Sequence, residues 1–192
     1  MKFTTKLLIA ALGLSILTAC GPKGPSKEQI AAEEQAKVVY EIAKEDYNKY
    51  TEWRKSANKV IREVNNAIST IFAEKDPAKV IEMYKDRAKD LSDVSNKLNE
   101  IQFSDSRFAP LKTKGIEGFK QLSELFSEST KYITADIPNE TRMNMVNRRN
   151  QVINAINKEL VQIEKDVLQQ INADAKKYNE IRSENDKLRK GE

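Results

Sequence analysis

Apolar residues recur in alternating steps of three and four along nearly all of the chain after residue 26. Tyr50, Trp53, Ala57, Val60, Val64, Ala67 and Ile71 form the first such row. These are the a and d positions of a heptad, so the row predicts a helix from about Ser26 to Glu74 with one continuous apolar seam. Asp76-Pro77 reads as a helix cap followed by proline at the first helical position. Val80, Tyr84, Ala88, Leu91, Val94, Leu98 and Ile101 predict a second helix. Phe103-Ser104-Asp105-Ser106 interrupts the pattern. A third helix opens near Phe108-Ala109-Pro110 and continues through Leu111, Phe119, Leu122, Phe126 and Ile133. Gly115 and Gly118 fall in its first turns and weaken that start by about 1 kcal/mol each relative to alanine. Asp136-Ile137-Pro138 opens the fourth helix. Its seam of Val146, Ile153, Ile156, Leu160, Ile163, Val167, Ile171, Tyr178, Ile181 and Leu188 runs almost to the end.

No stretch alternates with period two for long enough to make a strand. The expected fold is therefore all-α: an elongated antiparallel up-down-up-down four-helix bundle with long, coiled-coil-like first and fourth helices. Each long helix would reach about 70 Å and each short one about 40 Å. The short inner pair can then cover only half of the long pair. Residues 27–47 and 168–190 should form a two-helix stalk, with the four-helix head beyond it. Asn150, Asp174 and Asn185 place polar groups in the fourth seam, where they favour register over raw stability. Val64-Asn65-Asn66-Ala67-Ile68-Ser69 and Val152-Ile153-Asn154-Ala155-Ile156-Asn157 look alike, which heptad recurrence explains.

The first twenty residues follow a different plan. Lys2 and Lys6 precede Leu7 to Ala19, thirteen residues without a charge. Thirteen helical residues cover about 20 Å, short of a hydrocarbon core of about 30 Å, so the segment has the layout of a signal peptide. It ends in Leu17-Thr18-Ala19-Cys20, which resembles the lipobox of bacterial lipoprotein precursors. That resemblance covers residues 1–21. It implies that residues 1–19 are removed, that Cys20 carries the lipid, and that its new amino group is acylated. Gly21 stands where an Asp would be the usual inner-membrane retention signal, so the resemblance implies an outer-membrane destination. Residues 20–26, with Gly21-Pro22-Lys23-Gly24-Pro25-Ser26, read as a lipidated cysteine and short spacer, and residues 27–192 as the helical domain.

Composition narrows the chemistry. The chain has 192 residues, no histidine, a single cysteine and only 6 glycines and 5 prolines. Histidine-dependent triads, Cys/His zinc sites, c-type haem and internal disulfides are thereby excluded. Lys2 and Lys6 supply two of the formal +4 charges. What remains is small and interspersed, which gives no nucleic-acid surface. Tyr40, Tyr47, Tyr50 and Trp53 have the spacing of an aromatic cage for a cation, but packing along the seam is the stronger reading. Met143 and Met145 suit core or tip packing, with an adaptable contact surface as the alternative. Glu28, Glu33, Glu34, Glu41, Glu45 and Asp46 read as a solvated acidic face with interleaved lysines. Lys176, Lys177, Arg182, Lys187, Arg189 and Lys190 suit a helix C-terminus, or anionic headgroups beside the anchor. Arg148-Arg149 is an isolated pair, and Asn139-Glu140-Thr141 is an idle glycosylation match in a bacterial chain. Phe103 and Phe108 flank the turn where the head steps down to the stalk. They either fold inward and cap the bundle or anchor a partner there.

No metal site, cofactor site or catalytic set emerges, and the expectation is a protein that is not an enzyme. The functional expectation is a cell-envelope lipoprotein whose helical head acts as a protein-interaction or structural module. It would be held to the outer membrane by its lipid and work on another envelope protein, on the periplasmic face or at the cell surface. The alternative is an immunity or exclusion lipoprotein that blocks a toxin, phage or conjugative partner.

Overall fold

The computed structural model describes residues 24–133 and 138–192. The signal segment, the lipobox with Cys20 and most of the spacer lie outside the described residues, as do Asp136 and Ile137. Among the described residues there are four α-helices and no strand: α1 (Lys27–Ala73), α2 (Pro77–Glu100), α3 (Ala109–Ser129) and α4 (Asn139–Lys190). One-turn 3₁₀ segments precede and follow α3, at Ser106–Phe108 and Thr130–Tyr132. The all-α expectation holds. None of these helices is long and apolar enough to cross a membrane.

Local chemistry sets the helix ends. Ser26 and Gln29 form a capping box on α1: the Ser26 hydroxyl accepts from Gln29 N–H, and the Gln29 side chain accepts from Ser26 N–H. Asp76 caps α2 by accepting from Ala78 N–H at 2.9 Å, with Pro77 at the first helical position. Gly191 ends α4 at φ 76°, the left-handed conformation in which the Gly191 and Glu192 N–H groups donate to the last carbonyls, of Leu188 and Lys187.

Neighbouring helices meet through specific side-chain contacts. Asn185 near the end of α4 donates to the Gln29 carbonyl and to Glu33 near the start of α1. Farther along the same pair, Arg54 donates to Asn157. Ser95 and Ser123 donate to the Ile116 and Ala88 carbonyls, which ties α2 to α3. Trp53 Nε1 donates to the Val94 carbonyl at 3.0 Å, which ties α1 to α2. The core between them holds Tyr50, Trp53, Leu91, Leu98, Phe108, Leu111, Phe119, Leu122 and Leu160. Burying each such side chain stabilises the fold by about 1.5–3 kcal/mol.

The two glycines of α3 correct a sequence expectation. They are sites of close approach, where the expectation had only a weakened helix start. A Cβ on Gly115 would collide with Leu98 Cδ2 and stand 3.0 Å from Trp53 Cη2. A Cβ on Gly118 would stand 2.7 Å from Ile156 Cγ1. Glycine lets α3 press against α2 and α1 on one side and α4 on the other.

The α2–α3 connection sits partway along the long helices. Beyond it, residues 27–45 of α1 and 175–190 of α4 contain only two buried side chains, Ala43 and Asn185. Tyr40 stacks on Tyr178 there, with ring centroids 6.4 Å apart. Ile30, Val38, Val39 and Ile42 are exposed on this part of α1.

Candidate functional site

The turn between α2 and α3 shows what became of the aromatic pair. Phe108 is fully buried and belongs to the core, so its ring is closed to any partner. Phe103 is half-buried and stacks on it, with centroids 5.1 Å apart and planes 17° from parallel. The expectation of a partner contact therefore fails for Phe108, because the ring plugs the end of the short-helix pair. Phe103 stays partly exposed.

Charge holds this turn. Asp46 on α1 is almost fully buried, and one of its oxygens accepts from Ser104 N–H and Asp105 N–H at 2.6 and 2.7 Å. Its other oxygen accepts from Lys49 at 3.0 Å. Counting Asp46 in a solvated acidic face was wrong; it caps two backbone donors that would otherwise be orphaned. Glu33 leaves that face too, since it accepts from Asn185 and pairs with Arg189. Arg107 spans Asp105 and Asp174, pairing at 2.6 and 2.7 Å. Burial opposes ionisation of Asp105, but the Arg107 guanidinium and backbone N–H outweigh it and hold the carboxyl below its usual range.

The aromatic row of α1 is a seam. Tyr50 and Trp53 are buried, Tyr50 donating to Glu164 at 3.4 Å, and no cage opens to solvent at either ring. Burial pushes the Tyr50 hydroxyl far up, and the Glu164 carboxylate adds to it. At the C-terminal end of α4, Arg189, Arg182 and Lys176 pair with Asp186 and Glu180 on the same helix, and Arg189 also reaches Glu33.

The opposite end of the bundle is built differently. There the end of α3, the Thr130–Tyr132 turn and the first turns of α4 enclose an open groove of about 310 Å³. Leu125, Tyr132 and Met145 give it apolar walls, while Ser129, Thr141, Asn144, the acid Glu128 and the base Arg148 line it with polar groups. Tyr132 and Met143 stand 61% and 58% exposed, the most exposed large apolar side chains among the described residues. Met145 is half-buried and also lines two small cavities of about 10 and 20 Å³ deeper in the bundle. Each of those is walled in part by Tyr84 and an arginine, Arg149 in one and Arg142 in the other.

Arg149 corrects another expectation. The sequence reading placed Asn150 in the seam; Asn150 is exposed and Arg149 points inward, 9% exposed. Arg149 donates to Asn150 Oδ1 at 3.1 Å, but its Nη1 has no hydrogen-bond partner and is buried, as is Nε of Arg142. No carboxylate among the described residues pairs with either guanidinium. Burial lowers the Arg149 pKa, and nearby Tyr84 counters this only in part. Burial raises the Tyr84 pKa against the pull of Arg149 and Arg142. Nothing in composition or spacing distinguished this cluster, although seven residues separate Val146 from Ile153 and either 149 or 150 could occupy the intermediate seam position.

No group of three or more acidic or sulfur-bearing side chains able to hold a metal occurs among the described residues. Cys20, the expected lipid-attachment site, lies outside them. Comparison with protein families matches residues 44–172 to a family described as uncharacterised lipoprotein PM1805. Curated proteins and solved structures return no match.

Proposed function

The chain belongs to this family of bacterial lipoproteins, and from that premise we propose that it is an envelope lipoprotein whose helical head docks another envelope polypeptide through the groove at its tip. Its four helices would run up-down-up-down, with α1 and α4 as a coiled-coil-like pair. The pairings of Gln29 with Asn185, Ala88 with Ser123 and Gly118 with Ile156 support that topology. Cys20 would carry the lipid and Gly21 would send the protein to the outer membrane. The protein would act by presenting a surface and not by catalysis.

The observation that carries this reading is the placement of the exposed Tyr132 ring in the wall of the groove. It lies at the end of α1 opposite Lys27, where the spacer joins the helix. A 47-residue helix reaches about 70 Å, so the groove would stand well clear of the lipid surface. An exposed aromatic ring and a half-buried methionine beside polar groups are the composition of an adaptable protein contact. Arg148, the groove's one unburied cation, meets the lining acid Glu128 only at 3.9 Å between exposed side chains, which leaves it free to favour a partner segment with an apolar side chain next to an acid.

Two experiments test the reading. Cys20→Ala should abolish fatty-acid labelling and release the protein from the membrane fraction; labelling that persists would remove the anchor from the proposal. A photo-crosslinker at Tyr132 or Asn144, introduced in the native envelope, should yield a discrete adduct that the same probe at exposed Lys89 on α2 does not. Adducts of equal yield at all three positions, or none at the tip, would reject the groove as the docking surface.

A further inference from the structure

Two arginines turn their guanidinium groups into the bundle beneath the groove, and neither meets a carboxylate among the described residues. Arg149 is more than nine-tenths buried, its Nη1 has no hydrogen-bond partner, and the residue lines a cavity of about 10 Å³ together with Tyr84, Leu125, Phe126, Ser129 and Met145. That volume holds one water or one oxygen atom of a ligand. Leu125, Ser129 and Met145 line this cavity and the open groove alike, so they form the wall between them. Met145 is the flexible member of that wall, unbranched and with three rotatable side-chain bonds. A buried cation without a counter-charge is costly, and an apolar side chain of similar volume would remove that cost. Sites that keep such a group at the expense of stability are commonly binding sites.

We propose that the tip groove is a carboxylate-recognition site. The partner's apolar side chain would rest against Leu125, Tyr132 and Met145, and its carboxylate would displace the Met145 side chain to reach Arg149. Arg148 at the groove mouth draws the acid in. Among the described residues only the exposed Glu128, in the same groove and 3.9 Å away, competes for it. This inference rests on the docking function proposed above and names the chemistry of the partner segment: an acidic residue or chain terminus next to an aliphatic one. The same carboxylate chemistry occurs in free short-chain acids, and the test separates these sources from inorganic anions.

The full lipidated chain, purified in detergent, is melted with 4-methylpentanoate, with its amide 4-methylpentanamide and with inorganic phosphate at matched ionic strength. The carboxylate should raise the melting temperature with a saturating dose dependence, and the amide and phosphate should not. Acetylated Leu-Glu amide should protect at concentrations at least about tenfold lower than the free acid if a polypeptide segment is the natural source, since it adds apolar contacts to the same charge. Free acid protecting as well as the peptide would point to a small-molecule ligand and overturn the partner assignment. Arg149→Met should melt at or above the native temperature and lose the response to the carboxylate. Equal protection by amide and acid, or by phosphate alone, would overturn the proposal. So would an Arg149→Met variant that melts well below the native protein, because Arg149 would then be structural. An Asp136→Asn variant that is destabilised, and is restored by adding Arg149→Met, would place the counter-charge within the chain and also overturn it. If Arg149→Met still forms the tip crosslink with undiminished yield, the carboxylate inference fails while the docking function stands. Absence of any tip crosslink in the native protein fails the docking function itself.

Discussion

At Gly118 a methyl group would stand 2.7 Å from Ile156 Cγ1, and at Gly115 it would meet Leu98 and Trp53 together. Two effects of opposite sign act there. Alanine gains about 1 kcal/mol of helix propensity over glycine, while overpacking a filled core costs about 1–3 kcal/mol. Because Ile156 is a branched side chain locked in the core, the second effect should win. Gly118→Ala should lower stability by about 1–2 kcal/mol in urea melts; a gain would mean that α3 and α4 can part freely. The phenylalanines at the shoulder separate in the same way. Phe108 is fully buried and Phe108→Ala should cost about 3–5 kcal/mol. Phe103, half-buried and stacked on it, should cost less than about 2 kcal/mol. Equal losses would show that the two rings form one plug. The pattern of apolar positions found both rings but could not rank them, since burial at a turn depends on which way the chain leaves it.

The α2–α3 connection is a polar joint between helices that are otherwise joined by apolar packing. Asp46 receives two backbone N–H groups of the turn, and Arg107 bridges Asp105 to Asp174 on α4. Asp105 has a folded-state pKa below its ordinary 3.8, so its contribution is complete above that value and is lost as pH falls through the folded one. The melting temperature should therefore hold steady from neutral pH down to about pH 4 and decline below it. Arg107→Gln should lower the plateau and flatten the decline, as monitored by circular dichroism across pH 2–7. An unchanged acid slope in that variant would remove this joint from the acid response. The starts of α1 and α2 were legible in sequence. Asp76-Pro77 is a cap and first-turn pair, and Ser26-Lys27-Glu28-Gln29 spells a capping box, because both depend on residues within one turn of each other.

For the molecule as a whole, packing is uneven along its length. Head residues have two or three neighbouring helices, whereas 27–45 and 175–190 bury only Ala43 and Asn185. The distal pair is instead aligned by Asn185 on Gln29 and Glu33, by the Tyr40–Tyr178 stack and by the Arg189–Glu33 pair. Exposed ion pairs contribute about 0–1 kcal/mol each, so this part should open first. Amide hydrogen exchange should be faster at 27–45 and 175–190 than at 55–70 and 145–165. Equal protection would show that something further covers the long pair. The polar residues chosen from sequence as register keys divide accordingly: Asn185 and Asp174 act across helices, and Asn150 does not.

Helix number, the starts of α1 and α2 and the all-α class were determined by sequence alone, because heptad spacing and caps act between residues within a turn or two of each other; the end of α3 was not, since the expected run through Ile133 stops at Ser129 in a 3₁₀ turn. The lipoprotein character was legible in the same way, in Leu17-Thr18-Ala19-Cys20, and the family match agrees with it. Tertiary structure decided the rest. A spacing of seven from Val146 to Ile153 leaves either 149 or 150 as the intermediate inward position, and only the approach of α2 and α3 selects Arg149. Likewise Asp46 looks like any acid on a charged helix until the α2–α3 turn lands on it and buries it. The glycines of α3 read as weak points until Trp53, Leu98 and Ile156 arrive from three other helices. In each case the deciding partner lies tens of residues away, and its position follows from how the helices pack, which no local pattern encodes.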